Sequence, residues 1–231
     1  MDSHKPEAVP ATGMSDPDRP RVRGVVLAGG RSTRFGDADK AVATFEGRPL
    51  VASVVDAVAA ATEEPPLLSV ATDDQAERLR NALDGRDVEP VRDDPSLSGP
   101  LAGLAAAAAA TDAQWLFACA CDMPLVSPEG IDALRTRLAE TDASGACVDA
   151  VVPVVDDYDQ PLHALYRRSA LDDALDHLAP GDALLTLLDG LAVERVAGDA
   201  DDDAGAALAE ATTNVNTREE LAALRERDPT R

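Results

Sequence analysis

From residue 23 onward the chain alternates short apolar runs with longer segments whose apolar residues recur every three or four positions. The run "RGVVLA" (23–28) predicts a buried strand. "PLVASVVDAVAAAT" (49–62) predicts a helix, because Leu50, Val51, Val54, Val55 and Val58 form one stripe and Pro49 suits a helix start. "LLSVA" (67–71) reads as a strand, "DDQAERLRNAL" (73–83) as a helix capped by Asp73, and "DVEPV" (87–91) as a third strand. "GPLAGLAAAAAA" (99–110) has the alanine content of a helix lying close on a sheet, and "QWLFACA" (114–120) reads as a central strand that runs out almost onto Asp122.

Beyond it, Ser127 and Pro128 open a helix reaching about Glu140. A strand follows at 149–155, an extended stretch at 160–167, helices at 169–179 and 182–189, and a half-exposed strand at 191–197. The acidic "GDADDDAG" (198–205) predicts a solvated loop or disordered insert, and the closing "TREELAALRER" carries a capping box of Thr217 with Glu220. Residues 1–22, rich in Pro, Asp and Ser and without apolar periodicity, predict a flexible extension before a domain at 23–228. Strands alternating with helices imply βαβ units. The expected architecture is a single three-layer α/β/α sandwich with a mostly parallel, Rossmann-like sheet, whose ligands bind outside the carboxyl ends of the strands.

Composition narrows the function. The 231 residues carry a formal charge of -22, which disfavours nucleic acid and anionic lipid as partners. Apolar residues make up 45% but aromatic ones only 3%, so the core must be built from Ala, Val and Leu. Excess Asp and Glu with scarce lysine suggest a halophilic protein, because concentrated salt screens the self-repulsion of such a surface. Cys119, Cys121 and Cys147 form no C-x-x-C pair and read as reduced thiols of a cytoplasmic protein. No apolar signal core precedes residue 23, and the alanine run 101–110 is too short to span a bilayer.

The chemistry concentrates in "LAGGRSTRFGDADKA" (27–41), directly after the first strand. Gly29, Gly30, Ser32, Thr33 and Gly36 give a backbone able to turn sharply and present N–H groups to an anion. Arg31, Arg34 and Lys40 add three cations, and Lys40 is one of two lysines in the chain. The stretch is not a Walker A loop, since three residues separate Gly36 from Lys40, and it is not G-x-G-x-x-G.

The full pattern L-A-G-G-x-S-x-R-F-G-x-x-D-K-A resembles the signature of the molybdenum cofactor guanylyltransferase family. "DDPSLSGPLAGL" (93–104), "ACDMPLV" (120–126) and "NVNTREEL" (214–221) fall in that family's order. The resemblance implies a glycosyltransferase-A-like nucleotidyltransferase fold and an enzyme that transfers GMP from GTP to the terminal phosphate of molybdopterin or Mo-molybdopterin. Pyrophosphate is released and Mg²⁺ serves as cofactor. Molybdoenzyme maturation proteins would be further partners.

By the same resemblance, Leu27, Ala28, Gly29 and Gly30 bind the nucleotide, Lys40 and Arg34 act on its phosphates, and Asp122 holds the metal. Asp94 contacts the nucleotide, with Asp93 as the alternative by a shift of one residue. Thr72 stands where the family commonly has asparagine, a departure that removes the amide's paired donor and acceptor. Asn214 and Asn216 face the active site and help hold metal or substrate. Arg31 occupies a variable position, Cys119 and Cys121 read as packing residues, and His163 reads as a satisfied core or surface histidine.

Two rivals share the chemistry: the cytidylyltransferase of the same cofactor and a cobinamide-phosphate guanylyltransferase. Relatives using CTP tend to carry Leu-Ala-Ala-Gly where this chain has Leu27-Ala28-Gly29-Gly30, which favours GTP. A silent nucleotide-binding adaptor is the non-enzymatic alternative; its mark would be loss of Lys40 or Asp122, and both are present.

Overall fold

The fold is described from a computed structural model, which describes residues 20–30, 40–198 and 202–227. The strands among the described residues are β1 (Val22–Leu27), β2 (Thr44–Phe45), β3 (Arg48–Pro49), β4 (Leu67–Val70), β5 (Glu89–Arg92), β6 (Trp115–Ala120), β7 (Ala150–Val155), β8 (Tyr158–Asp159), β9 (His163–Arg167) and β10 (Val193–Ala197). The helices are α1 (Leu50–Ala61), α2 (Asp73–Leu83), α3 (Pro100–Ala109), α4 (Pro128–Ala143), α5 (Arg168–Leu175), α6 (Leu184–Asp189), α7 (Asp203–Ala211) and α8 (Arg218–Arg227).

The main sheet runs β10-β7-β9-β6-β1-β4-β5, with β8 paired to the edge of β7. Every pairing among β1, β4, β5 and β6 is parallel, as is β10 with β7. The exceptions are the short β8, antiparallel to β7, and β9, which runs antiparallel to both β6 and β7 and so lets the chain double back without a crossover helix. The chain winds from β1 through β4 to β5 on one side, then crosses to β6 on the other side of β1. The strand order therefore reverses between β1 and β6, the place where open α/β sheets bind ligands.

Alternate residues along each strand feed two cores. Trp115, Phe117 and Cys119 of β6 join Val54, Val58, Leu79, Ile131, Leu134 and Leu208 on the face covered by α1, α2, α4 and α7. Leu116 and Ala118 join Leu101, Leu104, Leu171 and Leu187 on the face covered by α3, α5 and α6. Small residues permit close layers. A Cβ on Gly24 would stand 2.0 Å from Val58 Cγ1, and one on Gly103 would stand 2.3 Å from Ser69 Oγ, so β1–α1 and α3–β4 approach closer than an alanine would allow. A third, smaller cluster of Phe45, Leu50, Val215, Leu221 and Leu224 fastens α8 to the β2–β3 hairpin.

Four expectations need correction. Thr72, not Asp73, caps α2: its Oγ1 accepts from Gln75 N at 3.1 Å. The short β2–β3 hairpin lies between the glycine loop and α1, where no strand was expected; Glu46 and Gly47 take positive φ at its turn. The end of the acidic stretch, from Asp202, instead opens α7, because the Asp202 side chain accepts from Gly205 N at 2.7 Å and caps a helix through Ala211; residues 199–201 lie outside the described residues. And β1 begins at Val22, which is 2% exposed and so belongs to the domain rather than to an extension. The remaining expected extension, residues 1–19, lies outside the described residues. The expected capping box at α8 forms, Glu220 N donating to Thr217 Oγ1 at 3.1 Å and Thr217 N to Glu220 Oε2 at 3.2 Å. No helix among the described residues is long and apolar enough to cross a membrane.

Candidate active site

The parallel strands β1, β4, β5 and β6 all end at one edge, and their exits are tied together by backbone bonds that continue the ladders. Ala28 N donates to Ser69 O at 3.0 Å, Asp93 N to Val70 O at 3.0 Å, and Cys121 N to Leu27 O at 3.1 Å. The last bond sets Asp122 beside the start of the glycine loop, across the point where the strand order reverses.

Lys40 reaches this place from a one-turn 3₁₀ helix over Lys40–Val42. Its ammonium donates to Asp122 Oδ2 and, at 3.0 Å, to Asn216 Oδ1. The lysine side chain is 11% exposed and the aspartate side chain 19%. An ammonium this far from water needs such partners, since an isolated buried charge costs several kcal/mol, on the order of its lost hydration. Asn216 is held there because Val215 N donates to the carbonyl of Asp122 at 3.0 Å, so the segment before α8 runs along the exit of β6. Val215 is buried in the small third cluster, while Asn214 and Asn216 on either side of it are exposed residues. Lys40, Asp122 and Asn216 thus meet; Asn214 flanks them without a bond to Lys40 among those observed.

Asp122 Oδ1, the other oxygen of the carboxylate, is buried and has no hydrogen-bond partner. No group of three or more His, Cys, Asp or Glu is placed to hold a metal among the described residues. A single carboxylate with an uncommitted oxygen is what Mg²⁺ can use, because that ion takes one or two carboxylates and fills the rest of its octahedron with phosphate and water oxygens.

On the other side of the crevice the glycine loop meets a second carboxylate. A Cβ on Gly29 would lie 1.9 Å from Asp93 Oδ2, so only glycine lets that side chain approach. Ser69 Oγ donates to Asp93 Oδ1 at 2.6 Å, and burial pushes the Asp93 carboxyl above its ordinary range, against the lowering effects of Ser69 and of nearby Arg92. Asp94, the residue expected to face the nucleotide, turns its carboxylate instead to Ser96 N at 2.7 Å and Ser96 Oγ at 2.6 Å, bonds that hold its pKa below the usual range. The carboxylate brought against the glycine loop is therefore that of Asp93, the neighbour one residue earlier.

Thr72 lies at the exit of β4, where its hydroxyl is engaged as the cap of α2. Leu27 and Ala28 are buried at 8% and 3% exposure, Gly29 is half-buried and Gly30 exposed with open space around it. Arg34 and Arg31 lie outside the described residues.

Sequence reasoning missed Gln75, whose buried amide links the exits of β1 and β4; the spacing Thr72-x-x-Gln75, that of a capping box, is the signal that could have found it. His163 is a core histidine, fully buried on β9 opposite Cys119 and edge-on to Phe117 with centroids 5.0 Å apart. It is not a satisfied one. Neither ring nitrogen has a hydrogen-bond partner, and burial pulls its pKa down to about 3. Cys119 and Cys121 pack as expected, the first fully buried and the second against the same cluster.

Comparison with known proteins gives the family and the fold. Residues 24–196 match the family described as MobA-like NTP transferase domain. A probable molybdenum cofactor guanylyltransferase of Natronomonas pharaonis is 34% identical over 177 residues, 74% of this chain and 83% of that protein. One from Thermococcus kodakarensis is 37% identical over 149 residues, 64% of this chain and 68% of that protein. The crystal structure of molybdopterin-guanine dinucleotide biosynthesis protein A from Archaeoglobus fulgidus superposes with a TM-score of 0.71 at 25% identity, covering 90% of this chain and all of that one.

Proposed function

Since the chain belongs to the family of MobA-like NTP transferase domains, we propose that it is a molybdenum cofactor guanylyltransferase, which transfers GMP from GTP to the terminal phosphate of molybdopterin or Mo-molybdopterin and releases pyrophosphate. The names borne by relatives at 31% to 37% identity support this reading. The observation that carries it is the meeting of Lys40, Asp122 and Asn216 at the reversal point of the sheet.

In the reaction, an oxygen of the acceptor phosphate attacks the α-phosphorus of GTP. A new P–O bond forms, the bond from the α-phosphorus to the bridging oxygen breaks, and its electrons leave on pyrophosphate. The acceptor phosphate is ionised near neutral pH, so no strong base is needed; the protein must align two anions and offset their charge. Lys40, a compact and flexible cation, exchanges its bond to Asp122 for the phosphates. Arg34 grips phosphate oxygens with its planar fork. The backbone of Ala28, Gly29 and Gly30 gives the triphosphate a cradle, with Asp93 turned toward the nucleoside and Asn214 and Asn216 toward the acceptor side. Thr72 contributes through the start of α2, which it caps at the exit of β4.

Nucleotidyltransferases of this kind generally depend on a divalent metal. We assign Mg²⁺ to Asp122, whose unpartnered Oδ1 fits a hard cation, and there the ion would supply charge neutralisation at the phosphates. Leu27-Ala28-Gly29-Gly30 supports GTP over CTP. The charge of -22 supports a cytoplasm rich in salt as the setting.

The test is turnover at high salt with Mg²⁺, molybdopterin and either GTP or CTP, scored as pyrophosphate and dinucleotide. GTP turnover without CTP turnover is the expected result. Equal or preferred use of CTP would overturn the guanine assignment, and nucleotide binding without pyrophosphate release would overturn the enzyme.

A further inference from the structure

Gln75 is 5% exposed, and a primary amide so buried must bond at both ends or forfeit its hydration. Both ends are bonded. Its Oε1 accepts from Ala71 N at 2.8 Å, and its Nε2 donates to the carbonyl of Ala28 at 2.7 Å, forty-seven positions away. Gln75 is the third residue of α2 after the cap Thr72, where a glutamine ordinarily turns back to the cap residue's own N–H. Here it reaches one residue further back along the chain and lends its other half to a different strand.

The consequence falls on the glycine loop. Peptide bonds among the described residues are trans, and in a planar trans peptide the carbonyl and the following N–H point in opposite directions. With the Ala28 carbonyl drawn to Gln75, the Gly29 N–H is directed away from α2. Ala28 N is fixed as well, by Ser69 O at 3.0 Å, so the residue is held on both sides.

We propose that Gln75 is a positioning residue for the nucleotide: its amide orients the Ala28–Gly29 peptide so that the Gly29 N–H is presented to the phosphates, while Gln75 itself touches no substrate. The inference rests on the proposed use of a nucleoside triphosphate.

Gln75→Glu separates this role from helix capping. Glutamate has the same shape and is favoured in the first turn of a helix, so α2 is kept, but a carboxylate cannot donate to the Ala28 carbonyl and repels it. We expect native circular dichroism, a melting temperature lowered by roughly 5–15 °C by the buried carboxylate, KM for GTP raised roughly ten-fold, and kcat changed less than about three-fold. KM of the variant should fall toward wild type as pH is lowered and the glutamate regains a proton to donate, whereas wild type shows no such trend.

Binding of inorganic triphosphate, measured calorimetrically, is independent of which base or acceptor the enzyme uses. Weaker triphosphate binding by Gln75→Glu upholds the positioning role whatever the nucleotide. Equal binding by the two proteins, or none by wild type, overturns it, as does a loss of kcat and melting temperature with KM unchanged. Absence of GTP turnover by a wild type that binds triphosphate defeats the guanylyltransferase reading alone.

Discussion

The Lys40 ammonium donates to one oxygen of Asp122 and leaves the other, Oδ1, buried without a partner. Lys40→Ala and Asp122→Asn should each lower kcat/KM at least about a thousand-fold, as removal of a group acting on transition-state charge does. Circular dichroism should remain native. Asp122→Asn should also abolish Mn²⁺ binding in the presence of GTP, read by electron paramagnetic resonance, whereas Lys40→Ala should retain it; retained metal binding in Asp122→Asn would remove Asp122 as the ligand.

Asn216 and Asn214 allow a sharper comparison, because only the former accepts from Lys40, at 3.0 Å. Asn216→Ala should reduce kcat by about ten-fold or more, since the ammonium loses an anchor worth roughly 1.5–3 kcal/mol. Asn214→Ala should act mainly on KM for the molybdopterin acceptor. Steady-state kinetics with each substrate varied in turn decides between the two patterns.

Gly29 and Gly30 should respond unequally to alanine. At Gly29 the new methyl meets Asp93 Oδ2 at 1.9 Å and must push the carboxylate off Ser69, so KM for GTP should rise about ten-fold. At Gly30 a Cβ meets nothing within 4 Å among the described residues, and stability should change by less than about 0.5 kcal/mol. Asp93→Ala in the Gly29→Ala background should restore stability but not affinity, measured by urea unfolding and GTP titration.

His163 makes stability depend on pH in a defined direction. Burial draws its pKa down to about 3, so the folded protein holds it neutral while the unfolded chain protonates it near 6.5. Below that pH the unfolded state binds more protons, and stability is lost progressively until the folded pKa is reached; the full loss is worth roughly 5 kcal/mol. His163→Leu should flatten the dependence of the urea midpoint between pH 7 and pH 4. An unchanged slope would assign the acid sensitivity to carboxylates instead.

Surface charge supplies a further expectation. With a formal charge of -22, the melting temperature should climb steadily from about 0.1 M to 3 M KCl as the screening length falls from ~10 Å to under ~3 Å. Full stability without added salt would exclude a halophilic origin for the composition.

Much of this molecule is legible in its sequence where one physical signal dominates. The stripe of α1, the apolar run of β6 and the Thr217–Glu220 box each answer to a single local rule, and each forms where expected. The acidic stretch before α7 misled because charge argued for solvent while Asp202 was a cap, and a cap counts for more than its neighbours' polarity once Gly205 N lies within reach. Asp93 and Asp94 could not be told apart by pattern, since adjacent carboxylates differ only in which way the backbone turns them. Gln75 was hidden for another reason: its partner Ala28 follows β1, far from α2 in sequence, and only the order of strands brings the two together.

Val215 N donating to the Asp122 carbonyl fastens the last stretch of the chain to the exit of its central strand. A ribosome releases residues in order, so a nascent chain can stack its layers well before position 216 emerges, yet it cannot seat the Lys40 ammonium between its two oxygen partners until then. A chain that has reached the tenth strand holds β1 through β10, yet its Lys40 still lacks the Asn216 partner that the segment before α8 supplies.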